Sequence, residues 1–250
     1  MTIHRARIGS DIVAEFTLPE KISKKIAIVA TGMPSAPSKT GLLTFLASVG
    51  YIAIHPRYRG TWESDGQFLK NEPTADILSV IEHCLATETL ISLWEEKTYR
   101  LPKRPQFTIF AGSFGGPAGL LLSKHQQVAK VICVAPVVDW SMESKAEPLP
   151  WLFNFVQQAF GNGFRMKKSD WNKLGRGAFY NPIAQPEKID GKKVLIFHAK
   201  DDESIPVETV RGFADKHDIK LYERKVGGHL SLSLLPKAWY WKRVSTFLED

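Results

Sequence analysis

The 250 residues carry 44% apolar and 24% charged side chains, the proportions of a globular chain, which excludes wholesale disorder. At roughly 100–200 residues per domain the length allows one large domain or two small ones, and no run of ~18 apolar residues offers a transmembrane helix. The net charge of +7 raises the question of a nucleic-acid partner, but the basic residues, among them Lys21, Lys24, Lys103, Arg104, Lys192 and Lys193, are scattered and no recognition motif organises them.

Residues 3–18 alternate in the manner of an antiparallel hairpin at a sheet edge. Asp11, Glu15 and Glu20 interrupt any signal-peptide layout there, and Cys84 and Cys133 both have apolar neighbours, as reduced thiols do. A cytoplasmic protein without a cysteine zinc site is expected. Residues 26–30 form an apolar strand, and Gly32, Pro34 and Pro37 make the loop after it. Leu42, Leu43, Phe45 and Leu46 share one side of a helix over 40–49, which Gly50 stops before a strand at 51–54. A polar loop follows, in which His55 could line a site and Arg57, Arg59 and Asp65 read as structural ties. Ile77, Val80, Ile81 and Cys84 predict a helix over 74–86, with 96 as its furthest reach. Then come a strand at 107–110, a glycine-rich turn, a helix to about residue 125 and a strand at 128–134. Between 141 and 188 no apolar strand occurs; aromatics crowd the segment, which reads as an insertion of two or three short helices, too small for a core of its own. A strand at 194–197, a helix at 207–217, a strand at 219–223 and a helix at 236–248 complete the chain. Apolar strands alternating with helices predict an α/β fold: one domain over 1–250, a mostly parallel twisted sheet with helices on both faces, and a small helical cap at 141–188.

The most informative stretch runs from Phe107 to Gly116. An apolar strand leads straight into Ser113, a helix starts just after it, and small residues stand two before (Ala111) and two after (Gly115). This is the layout of a nucleophile elbow, in which a tight strand-to-helix turn lifts the serine hydroxyl out of the sheet. A purely structural turn or a phosphate-binding loop is the alternative, but no Gly-Lys-Ser/Thr follows as in a nucleotide-binding loop. A serine nucleophile needs a base, and the base needs an orienting acid. Asp201, Asp202 and Glu203 follow the strand at 194–197, and His229 follows Gly227 and Gly228 in the loop before the last helix. Serine, acid and histidine therefore occur in the chain order of a known triad class, each at a strand end. His198 ends a strand and reads as structural.

With these pieces in place, the sequence resembles the α/β-hydrolase superfamily, and within it the catalytic domain of prolyl oligopeptidase-like proteins and related esterases. The resemblance covers nearly the whole chain and is carried by residues 58–68, 112–116, 135–140, 198–206 and 227–229. It implies Asp202 as the acid, from its distance to Ile205 and Pro206, and the backbone N–H groups of Phe114 and Met33 as the oxyanion hole. Thr31 stands where family members commonly carry histidine. The resemblance further implies a lid over the serine, with Trp140, Trp151 and Phe155 as substrate-binding residues, and hydrolysis of a small-molecule carboxylic ester without metal or organic cofactor, nucleic acid or membrane. A peptidase or acylaminoacyl hydrolase is the second reading and a ligand-binding relative without turnover the third. Esters are expected over peptides, because the insert shows no pair of acids to grip a peptide amino terminus.

Overall fold

The computed structural model describes residues 1–21, 23–142 and 144–250; residue 143 of the expected insertion lies outside them. The chain opens with the antiparallel pair β1 (His4–Ile8) and β2 (Ile12–Thr17), followed by β3 (Lys25–Ala30), α1 (Thr40–Ser48) and β4 (Ile52–Pro56). Next come α2 (Pro73–Thr87), β5 (Thr89–Ile91), β6 (Thr98–Arg100), β7 (Gln106–Gly112), α3 (Gly116–Leu122) and β8 (Val128–Val134). Then α4 (Leu149–Phe160), α5 (Lys168–Trp171), β9 (Val194–Ala199), α6 (Val207–Lys216), β10 (Lys220–Arg224) and α7 (Ala238–Glu249) complete it.

Eight strands make one sheet in the order β1-β2-β4-β3-β7-β8-β9-β10, antiparallel at β1/β2 and β2/β4 and parallel elsewhere. The parallel strands β3, β7, β8 and β9 read as continuous apolar runs because helices cover both of their faces. Leu43 and Leu46 of α1 and Val244 and Phe247 of α7 pack on one face. Ile77, Val80 and Ile81 of α2, α3 through Leu120, and Phe213 of α6 pack on the other. Each such fully buried side chain stabilises the fold by ~1.5–3 kcal/mol. This is the α/β architecture expected from the sequence.

The helix predicted over 74–86 spans Pro73–Thr87 and does not continue to 96. Glu88 takes a left-handed conformation (φ 51°), its N–H caps Cys84, and the chain turns into the β5/β6 hairpin. Leu90 of β5 is buried against the core.

From β3 the chain moves to β4 on one side of the sheet; from β7 it moves to β8 on the other. The strand order thus reverses between β3 and β7. Loops leaving the two strands there diverge to opposite faces and open a crevice at their carboxyl ends.

Candidate active site

Ser113 lies at this crevice, immediately after β7, with φ 49°. A non-glycine residue in the left-handed region is strained and persists where its surroundings fix it. Here the surroundings leave no slack. A Cβ on Gly115 would sit 2.1 Å from the Ala30 carbonyl oxygen, and one on Gly32 would sit 3.0 Å from the Ser113 Cβ. The Val137 N–H donates to the Ser113 carbonyl (3.1 Å), and the buried Tyr180 hydroxyl donates to the Phe114 carbonyl (2.7 Å). The loop after β3 is tied in the same way: the Tyr58 hydroxyl donates to the Thr31 carbonyl (3.1 Å).

Two further strand ends deliver the partners. His229 Nε2 stands 2.9 Å from Ser113 Oγ, and His229 Nδ1 stands 2.9 Å from Asp202 Oδ2. An ionised carboxylate only accepts, so Nδ1 carries the proton and Nε2 is free to accept from the serine hydroxyl. The other oxygen of Asp202 accepts from the N–H groups of Ser204 and Ile205 at 2.9 and 3.0 Å, which locks the carboxylate plane. His198, fully buried, hydrogen-bonds the Ile205 carbonyl through Nε2 (2.9 Å) and braces the same loop. Asp201 points elsewhere. Its two oxygens accept from the N–H groups of Gly227 (3.1 Å) and Gly228 (2.9 Å), fastening the glycine turn that presents His229. Gly228 there has φ 56°, a conformation that favours glycine. The two neighbouring acids divide the work: Asp202 holds the ring, Asp201 holds the loop.

Electrostatics follow from this wiring. Burial pushes the Asp202 carboxyl upward, but its hydrogen bond to His229 and that ring's charge outweigh burial and leave it below the usual carboxylate range. For His229 burial favours the neutral ring; the Asp202 hydrogen bond and charge, helped by Glu147, more than offset it, so its pKa is raised. The His229 side chain keeps 30% of its surface exposed, so water reaches it. His55, which the sequence offered as a possible lining residue, is a buried member of β4, 3.4 Å from Thr31 Oγ1, and burial pulls its pKa down to about 4.

Two cavities open on Ser113 among the described residues. One, of about 440 Å³, is walled by Val137, Trp140, Leu149, Leu152, Trp171, Leu174 and Ile205. The other, of about 520 Å³, is lined by His229, Phe155, Leu232 and the loop from Thr31 to Leu42. Met33, Ser113 and Glu147 border both. Of the residues expected over the serine, Trp140 and Phe155 therefore reach a cavity and Trp151 does not. The phase of α4 turns Leu152 and Val156 inward, which leaves Trp151 49% exposed and stacked on the outer edge of Phe155 with ring centroids 5.2 Å apart. Glu147, Tyr58 and Tyr180 were missed in the sequence, where nothing marks a lone carboxylate or phenol as part of a site. Among the described residues no three His, Cys, Asp or Glu side chains group as a metal site, and no helix is long and apolar enough to cross a membrane.

No protein-family model matches the chain, and no curated protein matches it by sequence. Solved structures do. An esterase from Pyrococcus furiosus superposes with a TM-score of 0.67 at 15% identity over 99% of this chain and 88% of its own. A ferulic-acid-bound esterase from Butyrivibrio proteoclasticus gives 0.63 at 16% identity, covering 96% of this chain and 98% of its own. An α/β serine hydrolase without lid from Xanthomonas campestris gives 0.62 at 15% identity, with 100% and 95% covered. The fold is that of the α/β hydrolases.

Proposed function

We propose that the chain is a serine hydrolase that cleaves carboxylic esters of small-to-medium acyl or aryl groups. One observation carries this reading above the others: the unbroken hydrogen-bonded series from Ser113 through His229 to Asp202, at the mouth of two cavities. His229 takes the Ser113 proton as the oxygen attacks the ester carbonyl. The oxyanion is held by the N–H groups of Phe114 and Met33, whose loops are pressed together at Gly32 and Gly115. The imidazolium, stabilised by Asp202, then protonates the departing alcohol oxygen. In the second half-reaction His229 draws a proton from water, the hydroxide oxygen attacks the acyl-enzyme carbonyl, and the proton returns to Ser113 Oγ as the acid leaves. Each turnover consumes one ester and one water and yields one acid and one alcohol.

The peptidase alternative draws less on the first cavity: its two lining acids are Glu147 and Asp139, and Asp139 Oδ1 is already committed to Ser141 and Asn181. Amide cleavage also demands a firmly held amine for protonation by His229. The test compares kcat/KM for para-nitrophenyl acyl esters with that for matched aminoacyl and dipeptidyl para-nitroanilides. The expected result is turnover of the esters well above any anilide. An anilide faster than every ester overturns the esterase reading in favour of a peptidase.

A further inference from the structure

In ester cleavage the departing oxygen must lie within hydrogen-bond reach of the histidine that protonates it. Both cavities touch Ser113, but His229 lines the second and not the first. The alcohol therefore belongs in the His229-side cavity and the acyl group in the other.

Both cavities mix polar with apolar lining, and the acyl side includes Asp139, Glu147 and Arg176. The alcohol side is bordered by the hydroxyls of Ser35, Ser38, Thr40, Ser231 and Ser233, and by Lys39. The Lys39 ammonium donates to the Ala36 carbonyl (3.0 Å) and makes no ion pair with a carboxylate among the described residues. The nearest acid behind it, Glu15, is committed to Arg57 (3.0 Å) and Arg5 (3.8 Å), and those two arginines also share Glu63 at 3.2 and 3.1 Å. Three cations thus stand against two carboxylates, and the surplus positive charge falls on the side facing the cavity. Burial and the Arg57 charge pull the Lys39 pKa down, and the Glu15 charge offsets this only in part. Glu147 borders both cavities, whereas Lys39 lines only the His229-side one.

We propose that the His229-side cavity takes an alcohol bearing an anionic group and that Lys39 is the residue that recognises it. This rests on the esterase reading. The net charge of +7 acts in the same direction by steering anions towards the protein.

The test compares kcat/KM for the butyrate esters of para-nitrophenol and of para-nitrophenol bearing a carboxylate beside its nitro group, each divided by its own hydroxide-catalysed rate. The anionic ester is expected to be favoured by about tenfold, through KM, as one modest charge contact allows. Lys39→Met brings the ratio to about one, Lys39→Arg keeps most of it, and salt at about 0.5 M shrinks it. A ratio at or below one in the native chain, a ratio untouched by Lys39→Met, or a preference for an ammonium-bearing ester overturns the proposal. Calorimetric binding of the carboxylated phenol to the native chain and to Lys39→Met needs no turnover and separates the two readings. Lys39-dependent binding without hydrolysis of either ester removes the esterase reading and leaves the anion site. Hydrolysis of both esters with neither ratio nor binding dependent on Lys39 removes the anion site and leaves the esterase.

Discussion

Two layers face each other across Ser113, and they are built differently. The lower layer, formed by the ends of β3, β7, β9 and β10, is held by glycines with no room for a Cβ and by backbone hydrogen bonds to Asp201, Asp202, Tyr58 and Tyr180. The upper layer, residues 144–181, is tied to the loop after β4 by backbone hydrogen bonds of Gly163 and Arg165 and to the core by Leu152, Val156 and Trp171, and its outer face shows Trp151 to solvent. A reaction that needs atoms placed to a few tenths of an ångström calls for the first kind of construction. Choice among substrates needs only a wall of suitable shape and charge. Substitutions in the two layers should therefore differ in size and kind.

The largest difference is expected within the lower layer itself. Asp202→Asn removes the acceptor that fixes the His229 tautomer, and a loss of ~10⁴-fold in kcat is the precedent from another triad enzyme. Asp201→Asn leaves the ring's partner intact and keeps one oxygen as acceptor for the glycine turn, so a loss of about tenfold or less is expected. Steady-state kinetics on one ester decide it; a larger loss at Asp201 would exchange the roles of the two acids.

The pH profile sharpens the same point. Neutral His229 accepts the serine proton, and its pKa is raised in the fold, so kcat/KM should climb with pH through a midpoint above the ordinary histidine value of 6.5. Protons lost as pH rises switch activity on. Glu147→Gln removes one of the charges that raises the midpoint and should move it down. A midpoint at or below 6.5 in the native chain contradicts the wiring of His229 to Asp202.

Between the layers stands Tyr180. Tyr180→Phe strips the Phe114 carbonyl of a buried donor and should cost about 1–3 kcal/mol of stability, or several degrees in Tm, while leaving the triad atoms in place. Thermal melts check it; an unchanged Tm would mean that the elbow does not depend on that bond. In the upper layer Trp151→Ala should change stability by no more than about 0.5 kcal/mol, as at other exposed positions, and ester kinetics by less than about threefold. A tenfold effect there would place Trp151 against substrate.

Much of the lower layer was legible in the sequence because its demands are local. An apolar run, a serine between small residues, an acid ahead of Ile205 and Pro206, and a histidine after Gly227 and Gly228 each leave a mark at fixed spacing. The upper layer leaves no such mark. Whether Trp151 or Leu152 faces inward depends on the phase of α4 against the sheet, which a segment crowded with aromatics does not state. The sequence leaves the end of α2 open between 86 and 96 for a related reason: the left-handed turn at Glu88 involves neither glycine nor proline. Lys39 and Glu147 gain meaning from what they lack nearby, and only three-dimensional neighbours reveal that.

The claim on which all of this stands is that Ser113 is the activated nucleophile. A fluorophosphonate probe reacts with a serine only where a base has activated it, and peptide mapping locates the adduct. The account predicts a single adduct on Ser113, absent in Ser113→Ala although that variant melts like the native chain, and slowed in step with turnover in Asp202→Asn. An adduct on another serine, or labelling that persists in Ser113→Ala, would contradict it.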